Sequence, residues 1–95
     1  MKLTVDEKQV RMNAFVQKVI INLAKSVLVS LDEVPEKPQD VVFEFRAESG
    51  IEIRLAQQPL RMNDFVQRLT ENVFKAVIHS LDDVPTEPQS FTLTL

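Results

Sequence analysis

Ninety-five residues, with eleven Lys and Arg against fourteen Asp and Glu, 44% hydrophobic residues and no cysteine, describe one domain. Without cysteine there is no disulfide, thiolate metal site or cysteine nucleophile, and the composition fits a reducing cytoplasm. One glycine, one histidine and a formal charge of −3 argue in turn against nucleotide-binding glycine loops, paired-imidazole metal sites and attraction to a phosphate backbone.

From the first residue the chain alternates, with Met1, Leu3 and Val5 apolar and Lys2 and Thr4 polar, which predicts a half-buried strand. Asn13 stands where an N-cap belongs, and an apolar 3.6-residue period predicts a helix over 13–31 that stops before Pro35. Residues 41–45 alternate again. Arg46-Ala47-Glu48-Ser49-Gly50 reads as a hairpin turn closed by the one residue that takes positive φ freely.

The pattern then restarts. At an offset of fifty residues, sixteen of the thirty-six positions in 10–45 are identical to those in 60–95, too many for compositional coincidence. The domain 1–95 is thus a duplication, with repeats 1–45 and 51–95 joined by the turn 46–50. The second copy predicts strands at 51–55 and 91–95 and a helix over 63–81 capped by Asn63, with Asp64 and Gln67 as a possible capping box. The order β-α-β-β-α-β with right-handed crossovers predicts an α+β fold with two helices on one face of a four-stranded sheet. Strand order stays open. The sheet is read as shared within an intertwined homodimer, with a monomeric ferredoxin-like fold as the alternative.

Projecting the helices at 100° per residue puts Phe15, Val16, Val19, Leu23, Val27 and Leu31 on one stripe, matched by Phe65, Val66, Leu69, Val73, Val77 and Leu81, and predicts that this stripe covers the sheet. Leu23, Val73, Phe43, Phe45, Ile53 and Leu93 are then core, as are all six phenylalanines. Ile20, Ala24 and Leu28, and Phe74 and Ile78, widen the apolar arc beyond what one surface helix needs. Ile21 and Val29 extend it onto a side where the second copy has Glu71 and His79. A thin core and surplus apolar surface predict a homodimer whose interface includes Ile20, Ile21, Leu28, Val29, Phe74 and Ile78.

Polar residues present in both copies have structural readings. Ser30 and Ser80 are expected to bond back to carbonyls four residues earlier, and Asn22 and Asn72 to bond neighbouring elements. Arg11, Arg61, Lys25 and Lys75 read as solvated charge. Asp32, Glu33 and Glu36, with Asp82, Asp83 and Glu87, lack the spacing of a calcium loop. His79 has no nucleophile placed to use it. No catalytic, cofactor-binding or metal-ligating residue is expected, and no membrane partner, since no apolar run approaches the ~20 residues that span a bilayer. The expected function is therefore a non-enzymatic structural or protein-interaction module acting as a cytoplasmic homodimer, with room for another cytoplasmic protein as partner. The alternative is a small-ligand or nucleic-acid binding protein, although an outward sheet face of Lys2, Thr4, Glu44, Glu52, Arg54, Thr92 and Thr94 mixes charge signs where RNA-binding sheets show aromatic and basic residues.

The duplicated RMN-x-FVQ and SLD-x-VP-x-x-PQ units, with the chain's length and acidity, resemble a small uncharacterised archaeal orphan protein. That resemblance implies an α+β homodimer interdigitating strands of both subunits, and carries over no functional residue.

Overall fold

Alternation in the first residues forms β1 (Lys2–Val5), which buries Leu3 and Val5. The chain then reverses at once: Asp6 and Glu7 take φ values of 48° and 69°, and β2 (Lys8–Gln9) pairs back on β1. In the second copy β4 (Gly50–Leu55) reverses through Ala56 and Gln57, at 47° and 70°, into β5 (Gln58–Pro59). Between them run helix α1 (Ala14–Val29) and β3 (Val41–Arg46), and helix α2 (Asp64–His79) and β6 (Ser90–Thr94) follow. The computed structural model describes residues 1–95 other than Glu33 and Glu36.

The sheet has six strands, not the expected four, in the order β2-β1-β6-β3-β4-β5, with each neighbouring pair antiparallel. The two extra strands are short, and their turns lack the Asn-Gly or Asp-Gly signature that marks a left-handed two-residue hairpin. Asp-Glu and Ala-Gln adopt that conformation because the strands impose it, at a local cost. Gln57→Gly is accordingly expected to raise stability by about 0.5–1 kcal/mol, measured as a higher denaturant midpoint at unchanged slope.

The two repeats interleave. Strand β6 lies between β1 and β3, and β3 lies between β4 and β6, so each β-α-β unit encloses a strand of the other within one chain. Asp6 helps lock them, its Oδ1 accepting from the backbone N–H groups of Gln89 (2.8 Å) and Ser90 (3.0 Å). Gly50, at φ 84°, closes the β3–β4 hairpin; a Cβ there would stand 2.9 Å from Gln67 Nε2.

One face of the sheet is apolar throughout: Leu3, Val5, Val41, Phe43, Phe45, Ile51, Ile53, Phe91 and Leu93 are all buried. Phe43 meets Phe74 of α2 with ring centroids 4.8 Å apart, and Phe45 stacks on Phe91 at 5.1 Å. The helices begin one residue later than expected and end two residues sooner. Asn13 and Asn63 cap them, each Oδ1 accepting from the amide of Val16 or Val66 at 2.8 Å. Ser30 and Ser80 donate to the carbonyls of Ser26 and Ala76 as expected, but from exposed C-cap positions and not from within the apolar arc. Gln67 makes no capping box; its amide donates to the carbonyl of Ile51 on β4.

The rotation of the helices departs from expectation. Ile20, Ala24 and Leu28 of α1, and Thr70, Phe74 and Ile78 of α2, face the sheet and are buried. Leu23 and Val73 are only half-buried, and Phe15 and Phe65 stand in solvent. In α1 the apolar arc is so wide that periodicity cannot select its centre, and in α2 the centre is occupied by a threonine.

A candidate interaction surface on the helical layer

With the buried rows fixed, helical geometry places the opposite side of α1 at Phe15, Val19, Asn22 and Ser26, flanked by Leu23, and that of α2 at Phe65, Leu69, Asn72 and Ala76, flanked by Val73. Phe15 is 73% exposed, Phe65 63%, Leu69 50% and Val19 39%. None of these ten positions carries a charge. Outer helix faces of soluble domains are ordinarily charged. Here Lys18, Lys25 and Arg68 are displaced to the outer flanks. Lys75 is drawn down onto the sheet, 2.8 Å from Glu71 and 4.5 Å from the centre of the Phe45 ring.

Because β1 and β4 are antiparallel across the sheet, the two helices run antiparallel as well. The end of α1 therefore lies by the start of α2, where Leu31, Val34, Leu60, Met62 and Val66 line a cleft of about 270 Å³. The exposed apolar residues of both helices thus form one face, and it nearly repeats itself under the half-turn relating the two halves of the chain. Neither Asn22 nor Asn72 makes a side-chain hydrogen bond to a described residue, so both amides remain available on this face.

Of the residues expected at an interface, Ile20, Leu28, Phe74 and Ile78 are fully buried in the chain's own core and have no surface to offer a partner. Ile21 is half-buried on the helix flank. Val29 is 83% exposed and continues the uncharged face at the C-terminal end of α1, where α2 has His79. Sequence reasoning missed Phe15 and Phe65 by assigning every phenylalanine to the core. The available signal was the scarcity of charge in α1, where Lys18 and Lys25 are the only charged side chains in sixteen residues.

The opposite face of the molecule is the polar side of the sheet. Glu44 and Glu52 sit directly across from each other, and Arg54 Nη1 bridges them at 3.0 and 2.7 Å, with Arg46 3.4 Å from Glu44. These hydrogen bonds, to Glu44 first and Glu52 second, hold the Arg54 guanidinium above its ordinary range, so Arg54 stays charged at all working pH values. In Arg54→Met the two carboxylates face each other with only Arg46 left beside Glu44. The variant is expected to lose about 0.5–1 kcal/mol at neutral pH, a figure discounted for solvent screening. Urea unfolding of the parent and the variant at neutral pH would read the loss as a lower midpoint at unchanged slope.

A second depression, about 570 Å³, is lined by Leu28, Val29, Leu31, Val34, Val41 and Leu95 with Lys25 and Lys37 at its rim. Arg11 and Arg61 are exposed, as are Asp32, Asp82, Asp83 and Glu87, while Glu33 and Glu36 lie outside the described residues. Among the described residues no group of three or more His, Asp or Glu side chains could hold a metal ion, and no helix is long and apolar enough to cross a membrane. No protein-family model, curated protein or solved structure matches the chain.

Proposed function

We propose that the protein is a non-enzymatic interaction module that acts as a homodimer. The observation that carries this reading is the exposed face on α1 and α2, with Phe15 near one end and Phe65 near the other. Phe15, Phe65 and two further aliphatic side chains are exposed on the outer sides of the two helices, apolar surface of the kind that marks protein contacts, in a chain too small to bury a large core. The sheet completes its pairing inside one chain, so association does not require strands to be exchanged. Asn13, Asn63, Asp6 and the Glu44–Arg54–Glu52 bridge are engaged structurally, which favours a binding role over a chemical one.

Sedimentation velocity across the micromolar range tests the reading, with a concentration-dependent dimer expected. Thermal unfolding should follow it: for two 95-residue chains that unfold as they separate, each tenfold rise in concentration should raise Tm by about 3 °C. A monomer throughout, with an invariant Tm, would overturn it.

One observation favours a second reading, the binding of a small amphipathic anion. The 570 Å³ depression has the size and apolar lining of a ligand pocket, with two lysines at its rim. Saturable binding of a medium-chain fatty acid, weakened by Lys25→Ala, would support it.

A further inference from the structure

Building on the homodimer reading above, we infer that the occupant of the uncharged helical face is a second copy of this chain. The two copies pack face to face, so that four helices form one layer between two sheets whose polar sides point outward. Three observations lead there.

The first is charge. An isologous interface sets a surface against itself, so any charge near its twofold axis meets its own kind. In a chain that is 26% charged, the centre of the outer helix face has no such residue, and the nearest charges are the exposed Lys18 and Arg68, about 60° around each helix from it. Asn22 and Asn72 suit the same arrangement, because an amide both donates and accepts and can satisfy an identical amide opposite it.

The second is extent. Two sixteen-residue helices are each roughly 24 Å long and together roughly 20 Å wide, so the face projects to about 500 Å², and more with side-chain relief. That approaches the ~600–1,000 Å² per partner of a specific interface.

The third is the condition of the other surfaces. The open sheet face carries the Glu44, Arg54 and Glu52 charges, and the sheet edges end in two-residue strands bearing Lys8 and Pro59, which blunt edge-to-edge pairing. A lipid surface would also accept exposed phenylalanines, but the net charge of −3 opposes the anionic bilayers that usually recruit such helices.

The chain has no cysteine, so one introduced thiol is unique. Asn72 lies near the middle of α2 and therefore close to a twofold axis running along or across the helices. Asn72→Cys and, on the open sheet face, Glu52→Cys would each be treated with a bismaleimide of about 10 Å reach, one interhelical spacing. The parent chain would be sedimented and floated with phosphatidylcholine–phosphatidylserine vesicles in parallel. Proximity should give Asn72→Cys at least about tenfold more cross-linked dimer than Glu52→Cys. A sedimenting dimer that cross-links through Glu52→Cys and not Asn72→Cys overturns the assigned face while leaving the homodimer intact. A monomer that stays in solution overturns both readings, and a monomer that floats with vesicles replaces the second copy by a membrane.

Discussion

Phe43→Ala is expected to remove about 3–5 kcal/mol of stability, the largest loss for any single substitution described for this protein. Phe43 is fully buried on a central strand, paired with Leu93 on one side and Ile53 on the other, and its ring meets Phe74 beneath α2. Truncation removes its transfer free energy and leaves a void walled by three strands and a helix, with no flexible loop to collapse into it. Against the 5–15 kcal/mol that holds a typical domain together, this lowers Tm by about 15–30 °C. Leu23→Ala makes the informative comparison. Leu23 is half-buried at the helix flank, and its truncation should cost about 1–2 kcal/mol. Equal losses at the two sites, measured by urea unfolding at one protein concentration, would mean that α1 is rotated from the position described.

The contrast between these two residues also shows how far sequence reading reached. Strand residues are legible because a period of two permits only two faces, and Phe43, Phe45, Ile53 and Leu93 are buried as their alternation requires. The helices are legible in place but not in rotation. Val16, Val19, Leu23 and Val27 form as good an apolar stripe as Ile20, Ala24 and Leu28, and only the sheet beneath chooses between them. In α2 the choice ran against hydrophobicity at Thr70, which is buried while Phe65 is exposed. The β1–β2 and β4–β5 hairpins were illegible for a different reason. Their left-handed turns fall on Asp6-Glu7 and Ala56-Gln57, residues with little intrinsic preference for that conformation. The capping asparagines could be placed correctly because a cap is a local interaction that needs no tertiary partner. The helical face escaped notice because a sequence shows which residues are apolar, whereas an unpartnered surface is defined by what the rest of the chain leaves uncovered.

That face supplies the other large expected effect. Phe15→Glu combined with Phe65→Glu should weaken self-association at least about a hundredfold, or roughly 2.7 kcal/mol, while barely altering the isolated chain. Both side chains are largely in solvent and neither belongs to the buried core, so removing them opens no cavity. In the face-to-face dimer each glutamate would have to shed water within an uncharged surface, and the twofold axis brings four such carboxylates into one layer with no cation at its centre. The flanking Lys18 and Arg68 can relieve part of that cost by reaching inward, which makes the hundredfold figure a lower bound only when salt is kept moderate. Sedimentation equilibrium of the double variant would give the affinity, and its thermal unfolding at high dilution would confirm an intact fold. If the double variant self-associates as tightly as the parent chain, the phenylalanines are surface ornaments of a dimer assembled elsewhere. A gain of solubility with complete loss of the dimer would instead locate the subunit contact at Phe15 and Phe65.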